Sequence, residues 1–447
     1  MAFPISDASP VAHQGPLPQS ADVVVLGGGV VGVMTAWALA DRGFRVTLCE
    51  KGRIAGEQSS RNWGWVRQQG RDFAELPIMM ESLALWQDLQ RTLGDGIGLR
   101  QEGTLDIART EAEMAGFTAW ADKARGYGLD SRVVGRAELA ALIPGHVAPW
   151  LGALYTSSDA RAEPWTAVPL IARALAAKGV TLRENCAVRA LDLSAGRIAG
   201  VVTEAGRIAC DQVVVAGGVW SSLFLRAHGV NIPQLAVKAT AARTLPMAET
   251  FAGGAADDRF AFRRRLDGGY TIARSGAHDF ALGPDAFRHF GVFQPVMRKS
   301  IKTTRFFPAA PKDTPDAWGT PRHWAADEVS PFERMRILNP APNLKRLAQV
   351  CDDFAKALPH LGRPVIADAG AGMIDTTPDV VPFVDRVPSI PGLVIATGTC
   401  GHGFGIGPGL GRVIADLVAD RPTGHDLSRF RFSRFTDGSK IDLAPGL

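Results

Sequence analysis

At 447 residues the chain is long enough for two interleaved domains rather than one core. Its 49 basic and 45 acidic residues leave a net charge of +4, without the strong basic excess of a nucleic-acid binder, so no nucleic-acid partner is expected. Five scattered cysteines (Cys49, Cys186, Cys210, Cys351, Cys400) with no C-x-x-C pair support neither a disulfide framework nor a zinc site, so a reducing, cytoplasmic setting and no metal are expected.

In chain order, residues 1–20 carry Pro4, Pro10, Pro16 and Pro18 among polar residues, without an apolar stretch of signal-peptide length, and read as a disordered lead. Nowhere is there a run of about eighteen uncharged apolar residues, so no transmembrane segment is expected; peripheral membrane association stays open. Residues 21–50 follow a compact pattern. An apolar, β-branched run, Val23-Val24-Val25-Leu26, suits a strand buried on both faces of a parallel sheet. Gly27, Gly29 and Gly32 then stand at G-x-G-x-x-G spacing, for a tight turn, a close approach of pyrophosphate and close helix packing. A helix is expected over 30–42, with Val33, Ala36, Trp37 and Ala40 inward and Gly43 ending it; its first turn, including Val31, offers N–H groups to an anion. A strand over 44–49 delivers Glu50 to the hydroxyls of a ribose. Dinucleotide binding follows from the whole unit.

The loop that follows holds Lys51, Gln58, Ser59, Ser60, Arg61, Asn62, Trp63, Gly64 and Trp65. It could run beside an extended cofactor, giving donors to phosphate and ribityl groups and an indole face to a flat ring, or it could be a surface loop with two buried tryptophans. Helices are expected over 76–93 and 111–127, with a strand over 103–108 between them. The chain is expected to return to the first domain at 153–155 and to form a helix from Pro164 to Lys178. Strands over 180–182 and 188–191, a hairpin over 198–210 and a buried strand over 213–215 lead into a small-residue turn, Ala216-Gly217-Gly218-Val219-Trp220-Ser221. Antiparallel strands of a second sheet are expected over 233–243, 261–265 and 270–274, the last two joined across Asp267-Gly268-Gly269. The patch Arg263-Arg264-Arg265 reads as a solvated strand end. Residues 308–342 support no assignment, and 343–358 read as a helix. The segment 370–379 is expected to pair with a strand over 393–396, followed by a glycine-rich turn over 397–409 and an apolar helix over 410–419. That helix start could stabilise negative charge on a reduced ring.

Four blocks, residues 27–50, 59–65, 213–221 and 371–379 with 398–411, resemble in order and spacing the glycine/D-amino-acid oxidase (DAO) family of FAD enzymes, which includes glycine oxidase, sarcosine oxidase and D-amino-acid dehydrogenase. The resemblance implies an α/β fold: a Rossmann-like FAD-binding domain of the glutathione-reductase type, from residues 21–75, 150–225 and 365–425. It implies interleaving with an α+β substrate domain, residues 76–149 and 226–364, whose antiparallel sheet roofs the flavin; 426–447 would be a C-terminal tail. It also implies hydride transfer to flavin N5 from a carbon bearing an amine nitrogen, giving an imine that hydrolyses, with oxygen, a quinone or another carrier as acceptor. No residue stands out as a covalent attachment, so noncovalent FAD is expected.

Carried over by position, Gly27, Gly29 and Gly32 would approach the pyrophosphate and Glu50 the adenosine ribose. Gln58, Ser59 and the Trp63-Gly64-Trp65 segment would line the flavin, Val188 would meet the adenine, and Ala216, Gly217 and Trp220 would sit beside the cofactor. Gly372 and Ile374 would face it, and Cys400, Gly401, His402, Gly403, Phe404, Gly405 and Ile406 would surround the pyrimidine end. The chain departs from the family where substrate is held. Many members place Arg-Pro after the Ala-Gly-hydrophobic triplet, where this chain has Ile374-Asp375; a second family arginine aligns with Gly401, and a roof tyrosine is absent from Phe260-Ala261-Phe262. Either Arg274 or Arg67 replaces the carboxylate clamp, or the amine or amino-acid substrate lacks an α-carboxylate. Asp375 could attract an ammonium or sit in a turn; His402 could donate to the flavin, bind substrate or be a satisfied turn residue; Arg274 could be an ordinary strand-end charge. Gly370 stands where relatives often have tryptophan and would leave room for a larger donor. The alternative function is a catalytically silent flavin-binding subunit for assembly or electron relay. A nicotinamide enzyme is disfavoured, because it would not need the 59–65 loop or the final glycine turn.

Overall fold

The computed structural model describes residues 3–443. Val23–Leu26 forms the strand its β-branched run dictates, buried along its whole length. It sits inside a six-stranded sheet whose order, from one edge, is Phe383–Arg386, Leu393–Thr397, Gln212–Val215, Val23–Leu26, Val46–Cys49 and Thr181–Arg183. Neighbours run parallel except at the first edge, where Phe383–Arg386 is antiparallel to Leu393–Thr397. Helix Val30–Asp41 follows the first strand. A methyl group added at Gly32 would lie 2.0 Å from the Gly27 carbonyl oxygen, so the third glycine of the motif is fixed by sterics.

The helix expected over 410–419 in fact runs Gly403–Val418, so most of the second glycine cluster is helical. Its glycines serve close crossings: a methyl at Gly411 would meet the Met34 backbone at 2.5 Å, and one at Gly409 the Ile78 carbonyl at 2.5 Å. Helix Leu76–Leu93 packs on the same layer, its Ser82 Oγ and Trp86 Nε1 donating to the Gly405 carbonyl at 2.7 and 2.9 Å. Ile78, Met79, Leu83, Trp86 and Leu89 therefore share a core with Val23 and Val25, not with the second sheet where residues 76–93 were expected.

The second sheet is mixed and has ten strands, its middle formed by Leu235–Thr244. That strand pairs on one side with Tyr270–Ala273, which meets Ala261–Arg264 as the expected antiparallel hairpin. On the other side it pairs antiparallel with Ile366–Thr376, with Val237 opposite Ile374. The expected pairing of 370–379 with 393–396 is thus corrected: the latter lies in the first sheet, and Ile366–Thr376 crosses to the roof before the chain returns. Gly152–Thr156 also belongs to the second sheet, antiparallel to Thr104–Ala108, so the chain does not rejoin the first layer at 153–155. Helices Pro284–Arg288 and Phe290–Ser300 lie where no element was expected.

Two further corrections have electrostatic causes. Arg263 is fully buried and Arg265 nearly so, not a solvated strand end. Arg263 forks onto Glu163 at 2.9 and 3.2 Å and donates to the Trp63 carbonyl at 2.5 Å. From residue 3 onward the lead is packed rather than disordered, because its backbone satisfies buried charges. Arg53 Nε donates to the Ser9 carbonyl at 2.8 Å, Arg61 Nη2 to the Ile5 carbonyl at 2.9 Å, and Glu184 accepts from the Ala12 and His13 N–H groups. The segment after 426 is anchored by buried Phe430 and by Arg434, which forks onto Asp379 at 2.8 and 2.9 Å.

Candidate active site

A cavity of about 440 Å³ runs from the C-terminal ends of the parallel strands to the underside of the second sheet. One end is built from the first βαβ unit: Gly27, Gly29, Val31, Glu50 and Lys51 line it, with Val188 across. The Glu50 carboxylate accepts from the Gly28 N–H at 2.7 Å and the Gly52 N–H at 2.6 Å, and burial raises its pKa. Each oxygen keeps a further lone pair for a hydroxyl. Ser59 Oγ accepts from the Val30 N–H at 2.8 Å, so the polar loop is tied to the helix start that an anion would face.

In the middle, Gln58, Ser59, Arg61, Asn62, Trp63 and Trp65 line one wall and Ala216, Gly217 and Trp220 the other. Lys51 Nζ lies 4.3 Å from the Trp220 ring centroid, and Trp220 Nε1 donates to Glu57. Arg61 is turned to structural use, bonding Asn339 and the carbonyls of Ile5, Gly56 and Ala371. Gly27, Gly29 and Gly217 line the cavity with bare backbone, a cradle that fits the close approach of an extended dinucleotide.

At the far end Gly372, Ile374, Cys400, Gly401, His402, Gly403 and Phe404 line the cavity together with Arg67 and Arg274. Gly32, Ser60, Gly64, Gly405 and Ile406 do not reach it; they form the layer behind the wall. Asp375, a candidate for holding a substrate ammonium, also lines the cavity. It is 1% exposed, and its Oδ2 accepts from the Gly398 and Thr399 N–H groups at 2.7 and 3.3 Å, clamping the final turn to the roof. Burial raises its pKa. The room expected at Gly370 is taken by the lead, since a methyl there would meet the Phe3 ring at 3.2 Å. A methyl at Gly401 would make ordinary packing contact with Ile374 carbons at 3.6 and 3.7 Å.

Three arginines flank this end in different electrostatic settings. Arg67 pairs with Asp106 at 2.9 Å and lies 4.9 Å from the Trp65 ring centroid. Arg71, which sequence reasoning missed, lines the cavity beside it; its Nε donates to the Arg67 carbonyl at 3.3 Å, and its terminal nitrogens make no hydrogen bond among the described residues. Burial lowers its pKa to about 9, while Glu75, Asp159 and Asp106 partly offset that. Arg274 meets only Asp353, in a long contact of 3.5 Å, leaving most of its guanidinium donors uncommitted. His402 Nδ1 lies 3.1 Å from Oε2 of Glu75, a carboxylate with no solvent exposure that was also missed. Burial, followed by Arg71, lowers the His402 pKa, which leaves the imidazole neutral near pH 7.

Comparison with known proteins gives this cavity a context. The chain is 25% identical to human mitochondrial sarcosine dehydrogenase over 95% of its own length, but spans only 43% of that protein. Against the glycine oxidase of Pseudomonas putida it is 26% identical, covering 83% of this chain and 98% of the relative. The structure of L-amino acid deaminase from Proteus myxofaciens in complex with anthranilate superposes with a TM-score of 0.91 at 30% identity, covering 97% of each chain. The FAD dependent oxidoreductase (DAO) family matches residues 22–417, and the chain belongs to that family.

Proposed function

We propose that the protein removes the amino group of an α-amino acid, of L configuration, by oxidising its Cα–N bond to an imine that hydrolyses to a 2-oxo acid and ammonia. The observation that carries this reading is Arg274, a cavity-lining guanidinium with almost no protein partner. It stands ready to fork onto a carboxylate and so replaces the family clamp absent at Ile374-Asp375. Arg67 is already neutralised by Asp106, and Arg71 lies within the field of three carboxylates, so Arg274 is the favoured anchor. The L configuration is supported by the likeness to L-amino acid deaminase.

Bound FAD, held without a covalent link by the segments around Gly27, Ser59, Gly217 and Gly401, supplies the two-electron acceptor. The chain's own residues bind and orient. Trp65 and the roof residues Ala239 to Ala241 confine the donor, and Arg274 fixes its carboxylate. Five thiols without a disulfide suit a reducing, cytoplasmic location. No helix among the described residues is long and apolar enough to cross a membrane.

The test is anaerobic mixing of the FAD-loaded protein with α-amino acids of both hands and with simple amines, scored by bleaching of the flavin and by 2-oxo acid formed. L-Amino acids should bleach it. Reduction only by amines lacking a carboxylate would remove Arg274 from the account, and a flavin reduced by no donor would favour the silent-subunit reading. Repeating the reaction in air, with peroxide measured, decides between oxygen and another carrier as acceptor.

A further inference from the structure

We infer that His402 accepts the proton of the substrate ammonium, its imidazole set for that task by Glu75. The inference rests on the amino-acid reading above. At neutral pH an α-amino group is mostly an ammonium, whose nitrogen has no lone pair to stabilise the carbon as hydride leaves. That proton must leave before the hydride does, either to water or to a group of the site. Asp375, the acid nearest in sequence to the family's substrate motif, is 1% exposed and its Oδ2 is held by the Gly398 and Thr399 N–H groups, which makes it the poorer acceptor.

His402 meets the geometric requirements of a base. It stands at the N-terminal end of helix Gly403–Val418, and its ring lines the cavity. Nδ1 is 3.1 Å from Glu75 Oε2, which orients the ring with the proton on Nδ1 and leaves the Nε2 lone pair for a ligand. Among the described residues Nε2 makes no hydrogen bond, and it is not sealed in the protein interior. Glu75 is itself rigidly placed, just ahead of helix Leu76–Leu93, with its side chain wholly buried. Holding Nδ1–H against a carboxylate also stabilises the imidazolium once it forms.

The charged groups around the ring are consistent with a base that starts neutral. Arg71 and Arg67 face it from the polar loop and Glu75 from the segment after them. On its own turn Cys400 is half-buried and holds its thiol proton, and Asp375 lies beside it. Desolvation and the two arginines outweigh Glu75 and keep the free imidazole unprotonated near pH 7. In the transfer one N–H bond of the ammonium breaks, its electron pair stays on the amine nitrogen, and an N–H bond forms at Nε2. The outcome is a neutral amine and an imidazolium paired with Glu75. His402 acts on the substrate; Glu75 is a positioning residue.

The experiment measures the rate of anaerobic flavin reduction by the best L-amino acid, per bound FAD, from pH 6 to 10 in the wild type, His402→Asn and Glu75→Gln. A general base contributes about 10²-fold or more, so His402→Asn should be slower by about that factor at pH 7. Its rate should then climb tenfold per pH unit, because only the free amine reacts, and converge on the wild type once the amine is deprotonated in solution. Glu75→Gln should show the same profile with a smaller deficit. A deficit constant across pH, or none, overturns the inference. A second readout needs no turnover: the affinity for an α-methyl amino acid, which has no hydrogen on Cα to transfer. Wild-type affinity should weaken below the His402 pKa, where an imidazolium repels the ammonium, while His402→Asn stays flat; equal profiles contradict the assignment. Failure of the amino-acid reading itself would look different, since the wild type would then not be reduced by amino acids at any pH.

Discussion

Gly32→Ala tests the cofactor cradle with the least chemical change. The added methyl would stand 2.0 Å from the Gly27 carbonyl oxygen, 3.1 Å from its carbon and 3.5 Å from a Val25 methyl. Ordinary contact begins near 3.4 Å, so helix Val30–Asp41 or the glycine turn must move by about 1.4 Å. Neither partner is a flexible side-chain tip, and the helix is also held by its crossing with Gly403–Val418, where Gly411 rests on the Met34 backbone. Overpacking of this kind costs about 1–3 kcal/mol. The strain falls on the N–H groups that would face the pyrophosphate, so FAD affinity should drop by roughly 5- to 150-fold. The assay is equilibrium titration of apoprotein with FAD, followed by tryptophan fluorescence quenching. Gly43→Ala is the control. It has φ +83° but nothing within 4 Å, so it should cost about 1 kcal/mol of stability and leave FAD affinity unchanged. Wild-type affinity in Gly32→Ala would refute the reasoning, as would equal losses in the two variants.

Arg274→Gln removes the proposed carboxylate fork and should raise KM for L-amino acids roughly 10- to 150-fold, with FAD content unchanged; an unaltered KM places the carboxylate elsewhere. Glu163→Ala leaves the buried Arg263 guanidinium without its carboxylate and should destabilise the fold by about 3–5 kcal/mol, read as a lower urea midpoint, while Glu163→Gln, which keeps an acceptor, should lose less. Asp159 provides a pH prediction: burial raises its pKa to about 7 in the folded protein, against an ordinary 3.8. The folded state therefore binds more protons between those values, and this group's contribution to stability falls as pH rises through that window. Asp159→Asn keeps an acceptor for the Gln68 N–H and should be more stable than wild type at pH 8, an advantage that shrinks toward pH 4; a pH-independent difference contradicts the assignment.

The parts of the fold legible in the sequence were those encoded by short-range pattern. Strand, glycines, helix and strand over residues 23–49 announce themselves because each signal lies within a few residues of the next, and the hairpin around Asp267 because its turn chemistry is local. Strand Ile366–Thr376 shows the limit: its small, alternating residues suit either sheet, and only the ladder with Leu235–Thr244 decides. The lead was misread for a related reason. Its proline-rich composition resembles a free segment, while the partners that order it, Arg53, Arg61 and Glu184, lie far along the chain. Arg263 resembled surface charge until Glu163 came to meet it. The lining of the cavity was legible where glycine and tryptophan sit at motif spacing, and less so at its charged end. Arg67, Arg71 and Glu75 recur at four-residue steps ahead of an apolar helix, a signal that could have exposed the charged end of the cavity. Asp375 could not have been placed without the turn whose N–H groups hold its Oδ2.

The most direct test of the account is the structure of the protein saturated with FAD and soaked with an unreactive α-methyl amino acid. The account predicts one FAD per chain, extended from Glu50 to the turn at Cys400 and His402, with the analogue's carboxylate on Arg274 and its nitrogen beside His402. FAD bound outside this cavity, or no stoichiometric FAD at all, would contradict it.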